Sequence, residues 1–265
     1  MSYPGQLASL DGAIVDAAEA TIPVTDEGLV RGDGAFEVIA LYDGRPFAFE
    51  EHLARLERSA GNLRLPLDLE AIRADAHRLL AAAGDSDLHE ALRIMVTRGG
   101  RRILFTERFA QTPERIRLGS IIYEPTRVLD GVKSLSYAAN MLAGRLARER
   151  GFDDALFVTP QGRVLELPTS SVFWVKDGML ATPPLSDHIL ASITRAQVIE
   201  LTGAREQSCM LEELKAADEA FIASTAREVQ DVAAVDEREF PTPGPWFTRA
   251  SRALRAYVVA ELSRT

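Results

Sequence analysis

Apolar residues cluster on both sides of the dipeptide Asp43-Gly44, within residues 34–49. An Asp-Gly pair between two such runs is a strong signal for a β-hairpin. Immediately downstream, leucine and alanine residues recur at helical spacing, which predicts an amphipathic helix over residues 50–62. The chain therefore opens with a hairpin followed by a helix that has one apolar face.

The same reasoning assigns the remaining elements. Helices are predicted at residues 68–83, 137–149, 194–201 and 247–262, and strands at residues 92–97, 116–123, 155–158, 172–175, 179–181 and 220–223. The strands and helices follow one another without a regular βαβ rhythm, which favours an α+β fold over a doubly wound sheet. Turn residues without periodicity predict an inter-domain linker at 124–131. It separates a smaller N-terminal α+β domain, 1–123, from a larger C-terminal α+β domain, 132–265.

Composition excludes several classes of function. The 265-residue chain has a formal net charge of −9, which argues against nucleic-acid binding because that requires a basic face. No uncharged apolar run approaches the roughly 20 residues of a membrane span, and the first residues lack a signal-peptide pattern. The single cysteine, Cys209, allows no intramolecular disulfide and is interpreted as inert packing. These features predict a cytoplasmic protein. The four histidines lack metal-ligand spacing, so no metal is expected.

Amine chemistry has few candidates, because only Lys133, Lys176 and Lys215 are lysines. Lys176 and Lys215 lie in polar stretches and are predicted to be solvated. Lys133 precedes a segment that becomes apolar at helical spacing, where partial desolvation lowers the pKa of a lysine. Lys133 is therefore the candidate for a covalent imine with a carbonyl cofactor or substrate.

Glu166 is the second candidate, because apolar residues flank it and a proline and three hydroxyl residues follow. This is unusual for a solvated surface glutamate. The chain between Lys133 and Glu166 has room for a helix and a strand, so both side chains could face one pocket. A salt bridge at a strand end is the alternative interpretation.

Two segments could hold a phosphate. In one, Ser192, Ile193 and Thr194 open a helix, whose first N–H groups and dipole attract anions. In the other, Ser224 and Thr225 form a hydroxyl-rich turn after a strand. Serine and threonine also cap helices everywhere, so each segment has an ordinary structural interpretation.

Several arginines could bind anions. Arg55, on the helix at 50–62, could supply a charge-assisted bond to the same phosphate, unless it is an exposed helix arginine. Arg31, Arg98, Arg101 and Arg102 are predicted at loop tips, where planar guanidinium groups could bind a substrate carboxylate. Ordinary solvated loop charge is the alternative for these four.

In combination, these segments resemble the class IV aminotransferase family, pyridoxal-phosphate enzymes of fold type IV. The resemblance covers nearly the whole chain, and the order of the segments is more specific than any one of them. The series is Arg31-Gly-Asp-Gly-Ala-Phe-Glu, Glu51-His-Leu-Ala-Arg-Leu, Val132-Lys, Gly151-Phe-Asp-Asp-Ala-Leu, Glu166 with its following Ser-Ser-Val-Phe, Thr182-Pro-Pro-Leu, Ser192-Ile-Thr-Arg and Ala223-Ser-Thr-Ala-Arg-Glu-Val. The resemblance implies a two-domain α+β fold like that of D-amino acid aminotransferase, with pyridoxal 5′-phosphate (PLP) at the domain interface.

The resemblance also implies roles for individual residues. Lys133 matches the lysine that forms a Schiff base with PLP, and Glu166 matches the carboxylate that binds its pyridine nitrogen. Positions matching the phosphate-binding residues are Arg55, Ile193 through its backbone N–H, Thr194 and Thr225, with Ser224 matching less closely. Arg31 stands where many members carry an aromatic residue, which suggests an unusual carboxylate clamp.

The implied activity is ping-pong transfer of an amino group between a D-amino acid, with R-amines as further donors, and a 2-oxo acid. The hairpin at 36–44 and the stretch 96–102 look closer to the D-amino acid type. Residues 167–172 lack the Asn- or Gly-rich signature of branched-chain enzymes, and Glu37 stands where lyases tend to have threonine.

Three alternatives stay open. One is an aminodeoxychorismate lyase releasing pyruvate and 4-aminobenzoate, and another is an L-branched-chain aminotransferase. The third is a catalytically silent small-molecule binder or scaffold on the same fold. The family resemblance further implies a homodimer, in which the predicted loop 98–105 completes the site of the neighbouring subunit.

Overall fold

The structure is a computed structural model that describes residues 6–84, 90–240 and 242–264. The chain divides into two compact units, each with its own sheet and helices. Unit 1 comprises Met1–Ala110 and Val132–Tyr137, and unit 2 comprises Gln111–Gly131 and Ala138–Thr265. Both units mix helices with largely antiparallel strands, as an α+β fold does.

Unit 1 is built on a sheet whose neighbouring strands are all antiparallel. Its described elements are β1 (Leu7–Leu10), β2 (Ala13–Asp16), α1 (Glu27–Arg31), β3 (Gly34–Tyr42), β4 (Arg45–Pro46), α2 (Phe49–Leu63), α3 (Leu69–Ala83), β5 (Ala91–Thr97) and β6 (Arg102–Glu107). The strand order is β2-β1-β6-β5-β3-β4. The predicted hairpin turns at Asp43-Gly44, where both residues have positive φ, and joins β3 to β4.

Helices α2 and α3 form the other layer of unit 1. Helix α2 packs against β3, and α3 packs against β1 and β6. The apolar stripe of α2 includes Leu53 and Leu56, both fully buried, and the predicted helix over 50–62 is confirmed. The Asp68 side chain accepts a hydrogen bond from the Ala71 N–H at 2.9 Å and so caps the start of α3.

Unit 2 is built on a mixed sheet. Its described elements are β7 (Arg115–Ile122), α4 (Ala138–Glu149), β8 (Asp154–Val158), β9 (Ser171–Lys176), β10 (Met179–Thr182), α5 (Ile193–Thr202), β11 (Arg205–Glu206), α6 (Leu211–Lys215), β12 (Glu219–Ser224), β13 (Glu228–Val235), β14 (Arg238–Glu239) and α7 (Pro245–Leu262), with short 3₁₀ helices at Arg127–Leu129 and Leu185–Asp187. The order is β11-β10-β9-β12-β13-β7-β8, with β14 beside β13. The pairs β13–β7, β7–β8 and β10–β11 are parallel.

The central strands of unit 2 are buried on both faces. In β9, Val172 and Trp174 enter one apolar cluster, while Phe173 and Val175 enter another. Phe173 stacks on Phe221 of the neighbouring β12, with ring centroids 5.1 Å apart. Burial on both faces explains why these strands are continuous apolar runs in the sequence. Helices α5 and α7 pack against this sheet, and α4 packs against β7 and β8.

Several elements were not predicted from the sequence. Strand β13 contains polar residues, and Asp231 within it is buried and paired with Arg115 at 2.6 Å. An ion pair inside a sheet breaks the apolar pattern that predicts strands. The predicted loop 98–105 is shorter in the structure, because β6 begins at Arg102 and pairs with β5 across a Gly99-Gly100 turn.

The division into units differs from the predicted boundary. Strand β7 pairs with β13 and β8, so it lies in unit 2 and not in the N-terminal domain. The predicted linker, 124–131, is also part of unit 2, and it contains a 3₁₀ helix. The segment Val132–Tyr137 lies in unit 1, because Ser134 pairs with Ala35 of β3. These differences arise from pairings between residues far apart in sequence.

No helix in the described ranges is both long and apolar enough to cross a membrane.

Candidate active site

Lys133 lies in a short segment that docks on strand β3. The Phe36 N–H donates to the Lys133 carbonyl at 3.0 Å, and the Leu135 N–H donates to the Gly34 carbonyl at 2.8 Å. The Lys133 N–H donates to Ser59 Oγ of helix α2 at 3.2 Å. The backbone of Lys133 is thus held by a strand and by a helix.

Gly34 makes this docking possible. A Cβ at position 34 would lie 2.4 Å from the Val96 carbonyl oxygen and 2.5 Å from the Leu135 side chain. Any larger residue would push strand β5 or the lysine segment away. Gly34, the second glycine of Gly32-Asp33-Gly34, therefore allows the backbones of β3, β5 and the lysine segment to approach closely.

The amine of Lys133 lies over aromatic rings. Its Nζ is 4.4 Å from the centroid of Phe36 and 5.9 Å from that of Tyr137. The two rings meet edge to face, with centroids 5.2 Å apart. The half-buried lysine therefore has an apolar support whose π faces still stabilise the ammonium form.

The other two lysines have carboxylate partners. Lys176 is exposed and lies 3.7 Å from Asp218. Lys215 was predicted to be solvated, but its side chain is only 15% exposed and pairs with Glu212, Asp236 and Glu237. That prediction was wrong because strand β13, which ends beside Asp236, was not recognised.

Arg55 is buried, so the interpretation as an exposed helix arginine is wrong. Its Nε and Nη2 each donate to a carboxylate oxygen of Glu37 at 2.7 Å. His52 Nδ1 lies 2.8 Å from the same carboxylate. The three side chains are between 0% and 6% exposed and form one cluster between β3 and α2.

The charges in this cluster follow from its pKa shifts. Burial opposes ionisation of Glu37, but the hydrogen bonds and charge of Arg55, assisted by His52, lower its pKa from 4.5 to about 2. Burial lowers the pKa of His52 and outweighs the opposing hydrogen bond to Glu37. The cluster therefore holds an ionised carboxylate, a guanidinium and a neutral imidazole at neutral pH.

Glu166 lies in unit 2, in the loop that precedes strand β9. Its Oε1 accepts from the Leu190 N–H at 3.1 Å, and its backbone carbonyl accepts from the Phe157 N–H at 2.9 Å. Leu165 and Leu167 on either side are buried. Tyr123 stacks on Phe157 at 4.2 Å, and burial, with a smaller contribution from the Glu166 charge, raises the pKa of its phenol. The structure thus orients the Glu166 carboxylate through backbone contacts.

The two predicted phosphate-binding segments lie on packed elements of unit 2. Helix α5 begins at Ile193, with Ser192 as its N-cap: Ser192 Oγ accepts from the Arg195 N–H at 3.2 Å. The first N–H groups of a helix have no carbonyl partner within it, so those of Ile193 and Thr194 suit an anion. Helix α5 packs against β12, whose last residue is Ser224.

The turn after β12 presents the second segment. Its conformation is supported by the Arg227 N–H, which lies 3.3 Å from both the carbonyl and the hydroxyl oxygen of Ser224. Thr225 follows and is half-buried. Arg227 also pairs with Asp154 at 2.8 Å. The hydroxyl groups at the end of β12 and the amides at the start of α5 thus belong to two elements that pack against each other.

The four arginines considered for substrate binding have carboxylate partners within unit 1. Arg98 donates twice to Asp33 and once each to the carbonyls of Leu63 and Arg64. Arg101 pairs with Asp11 and Asp26, and Arg102 pairs with the buried Asp75. Arg31, the last residue of α1, pairs with Glu27, and both side chains are substantially exposed. Three of the four therefore connect elements of unit 1.

The structure adds residues that the sequence analysis did not assign to the site. Phe36 and Tyr137 support the amine, Ser59 holds its backbone, and Glu37 with His52 contacts Arg55. A signal for Glu37 was present, since it is the one charged residue in an otherwise apolar strand sequence, 34–42. His52 and Arg55 are three apart on a helix, so they share a face.

Other reactive groups are accounted for. Cys209 is buried, and that burial, with the nearby Glu213 charge, raises the pKa of its thiol to about 12. A protonated, buried thiol fits inert packing. Among the described residues, no group of three or more His, Cys, Asp or Glu side chains could hold a metal ion.

Comparison with known proteins gives consistent results. The family model for amino-transferase class IV matches residues 34–235. A putative branched-chain-amino-acid aminotransferase of Methanocaldococcus jannaschii is 35% identical, covering 86% of this chain and 88% of the relative. A D-alanine aminotransferase of Bacillus licheniformis is 28% identical, covering 96% and 98%. A bifunctional aminodeoxychorismate lyase/D-amino acid transaminase of Mycobacterium tuberculosis is 32% identical, covering 79% and 82%.

Solved structures are similar over almost the whole chain. A fold IV transaminase from Curtobacterium pusillum is 30% identical, with a TM-score of 0.87, covering 97% of this chain and 99% of that one. The PLP-bound form of a hypothetical aminotransferase from Mycobacterium tuberculosis is 26% identical, with a TM-score of 0.83, covering 96% and 99%.

The buried cluster predicts a dependence of stability on pH. His52 has a lowered pKa, so the unfolded chain binds a proton that the folded chain does not once the pH falls below about 6.5. Glu37 adds a second loss as the pH falls from about 4.5 towards 2. The free energy of unfolding, measured by urea titration at pH 7.5, 6.5, 5.5 and 4.5, should decrease as the pH is lowered.

The variant His52→Asn tests the assignment, since its amide can still donate to Glu37 but does not titrate. We expect a shallower pH slope below pH 6.5, by up to about 1.4 kcal/mol per pH unit. The control His77→Asn, at an exposed position of α3, should keep the wild-type slope. Equal slopes in wild type and His52→Asn would contradict the assignment.

Proposed function

This chain belongs to the class IV aminotransferase family, whose members use PLP, and we propose that it transfers amino groups between D-amino acids and 2-oxo acids. The observation that carries the proposal is the lysine amine held over Phe36 and Tyr137 at a fixed backbone position. Glu166 and the anion-binding segments of unit 2 supply the other groups that PLP requires.

The residues present fit this cofactor. Lys133 supplies the amine that bonds the cofactor aldehyde, and Glu166 a carboxylate for the pyridine nitrogen. The amides of Ile193 and Thr194, the hydroxyls of Ser224 and Thr225, and the guanidinium of Arg55 suit a phosphate dianion. When bound, PLP supplies a ring that accepts the electrons left when the substrate Cα loses its proton.

The two key side chains have separate tasks in this proposal. The Glu166 carboxylate would hold a proton on the pyridine nitrogen, which would keep the ring electron-withdrawing. With the cofactor in place, the Lys133 amine would carry a proton between the substrate Cα and C4′ of the cofactor. The Phe36 and Tyr137 rings keep water from one side of this amine and restrict its position.

D-amino acids are the proposed donors, with R-amines as a further class. Two relatives support this choice. The Bacillus licheniformis protein named D-alanine aminotransferase matches almost end to end, and the Mycobacterium tuberculosis relative is also named a D-amino acid transaminase.

Two other activities have specific support. The name of the Mycobacterium tuberculosis relative includes aminodeoxychorismate lyase, which is the second candidate. The Methanocaldococcus jannaschii relative is 35% identical and is named a putative branched-chain-amino-acid aminotransferase. Its name supports transfer from branched-chain L-amino acids as the third candidate activity. All three reactions would use Lys133 and Glu166 in the same way, so substrate assays must separate them.

Arg31 is the proposed clamp for the substrate carboxylate. Arg98, Arg101 and Arg102 form ion pairs that connect elements of unit 1. The ion pair of Arg31 is with Glu27 of its own short helix. Exposed ion pairs contribute little, roughly 0–1 kcal/mol, so Arg31 can exchange Glu27 for a substrate carboxylate at low cost.

We also propose a homodimer in the cytoplasm. Helix α4 exposes Met141, Leu142 and Leu146, whose side chains are 39–48% accessible and fall on one side of the helix. An exposed apolar stripe of this kind is typical of an interaction surface. Sedimentation equilibrium should give a dimer mass, which the variant Leu142→Glu should reduce; a monomeric wild type would contradict this assignment.

The variant Lys133→Ala should lose covalent cofactor attachment. Wild-type protein mixed with PLP should show a visible absorption band that borohydride bleaches, and mass spectrometry of its peptides should find the reduced adduct on Lys133. The variant should show neither, and its transamination rate should fall by at least about 1,000-fold, since it lacks both the nucleophile and the proton carrier. Lys176→Ala is the matched control, and an adduct at Lys176 would refute the assignment.

The donor preference is tested with both enantiomers. D-alanine and 2-oxoglutarate should yield pyruvate and glutamate at a higher kcat/KM than L-leucine, L-valine or L-alanine with the same acceptor. Formation of 4-aminobenzoate from aminodeoxychorismate would instead support the lyase. A preference for L-leucine would favour the branched-chain activity and reject D-amino acids as donors.

The variant Arg31→Ala should raise KM for both D-alanine and 2-oxoglutarate by about tenfold or more, because a charge-assisted bond to the carboxylate is lost. Arg58→Ala, at an exposed position of helix α2, is the control. Unchanged Michaelis constants in Arg31→Ala would remove this residue from the proposal.

A further inference from the structure

The cluster of Glu37, His52 and Arg55 is not explained by amino-group transfer alone. None of the three side chains is more than 6% exposed. Burying an ion pair costs about as much desolvation energy as its attraction returns, so such a pair is weak evidence for stability. A geometric role for the cluster is therefore the more informative interpretation.

The hydrogen bonds fix the plane and direction of the guanidinium. Arg55 Nε donates to Glu37 Oε1, and Nη2 donates to Oε2, both at 2.7 Å. This two-point contact along one edge leaves the planar group no freedom to rotate. The directions of the remaining N–H groups of Arg55 are set at the same time.

His52 in turn fixes the carboxylate. Because the carboxylate of Glu37 is ionised and can only accept, the His52 Nδ1 at 2.8 Å must carry the proton and donate. This defines the imidazole as the neutral Nδ1–H tautomer. The carboxylate therefore has donors on both oxygens, from two residues three positions apart on helix α2.

The cluster shares its supporting elements with the Lys133 amine. Phe36, next to Glu37 on β3, donates its N–H to the Lys133 carbonyl. Ser59, four residues after Arg55 on α2, accepts from the Lys133 N–H. The charge of Lys133 also acts on His52. The guanidinium is thus fixed relative to the amine by the same strand and helix.

We propose that Glu37 and His52 are positioning residues that orient the guanidinium of Arg55 for the phosphate of PLP. This inference rests on the proposed function, because it takes Arg55 as a phosphate ligand. The gain comes from pre-organisation: a guanidinium that is already oriented loses little side-chain entropy when the phosphate binds. Glu37 thereby contributes to binding of an anion although it is itself an anion.

A competing role predicts the opposite result. If Glu37 only neutralised the charge of Arg55, its removal would strengthen the attraction between the guanidinium and a phosphate. If it positions Arg55, its removal weakens phosphate binding in spite of the added positive charge. The sign of the change therefore distinguishes the two roles.

The experiment compares binding of PLP with binding of pyridoxal, which lacks the phosphate. Dissociation constants for apoprotein are measured by equilibrium dialysis, and the readout is the preference, the Kd for pyridoxal divided by the Kd for PLP. A general loss of structure weakens both ligands and leaves this ratio unchanged. The variant Glu37→Gln should lower the preference by about tenfold or more.

A double-mutant cycle tests whether Glu37 acts through Arg55. Arg55→Lys keeps the charge but cannot form the two-point contact. Adding Glu37→Gln to Arg55→Lys should lower the preference by less than about twofold further, since the guanidinium is already absent. Multiplicative losses in the double variant would mean that Glu37 acts independently of Arg55.

A second pair of variants leaves both charges in place, in case Glu37→Gln does not fold. His52→Leu removes the donor to Glu37, and His52→Asn keeps a donor close to the position of Nδ1. The preference for PLP should fall in His52→Leu and be restored in His52→Asn. Equal values in the two variants would contradict a positioning role for His52.

The outcomes also separate this inference from the proposed function. If wild-type protein forms no visible band with PLP, the proposed function is overturned and the inference with it. If wild type binds PLP, but the preference is unchanged or increased in Glu37→Gln, only the inference is overturned. Circular dichroism and urea titration identify which variants are folded before these ratios are compared.

Discussion

Main-chain hydrogen bonds between residues 132–137 and strand β3 determine where the Lys133 amine lies. The Lys133 carbonyl accepts from the Phe36 N–H, and the Gly34 carbonyl accepts from the Leu135 N–H. A lysine side chain on a mobile loop would lose rotamer entropy each time it formed a bond to a cofactor. Here the backbone is already ordered, and Phe36 and Tyr137 restrict the side chain. The role proposed for Lys133 depends on this docking.

The docking has a steric condition and an electrostatic one. The steric condition is the absence of a side chain at Gly34, where a Cβ would collide with the Val96 carbonyl and with Leu135. The electrostatic condition is the balance of charge nearby. Arg55 is buried on the neighbouring helix α2, and Glu37 compensates its charge through two short hydrogen bonds. An uncompensated guanidinium there would be costly to bury.

The anion-binding groups proposed in unit 2 are backbone amides and hydroxyls, whereas the group proposed in unit 1 is the charged side chain of Arg55. The start of helix α5 offers the amides of Ile193 and Thr194, and the turn after β12 offers hydroxyl groups. Glu166 Oε1 accepts a hydrogen bond from the Leu190 amide. Amides and hydroxyls hold an anion without an additional full charge, so they need no buried counter-ion.

Much of this protein could be read from its sequence. Short-range patterns were sufficient for the hairpin at Asp43-Gly44 and for most helices, and the ordered motifs around Lys133 and Glu166 indicated the family and its cofactor. Local periodicity and motif order do not depend on distant contacts. The roles proposed for individual residues, and the preference for D-amino acids, remain predictions.

Only the tertiary structure revealed which distant residues meet. In the structure, Lys133 lies in the unit built on β3, and Arg55 is buried against Glu37 and His52. Three further arginines form ion pairs: Arg98, Arg101 and Arg102. Strand β13 was not predicted because Asp231 interrupts its apolar pattern. In the structure this buried carboxylate pairs with Arg115. The physical reason is the same in each case. The environment of a charged side chain is set by partners that the fold brings together, and a linear sequence does not specify them.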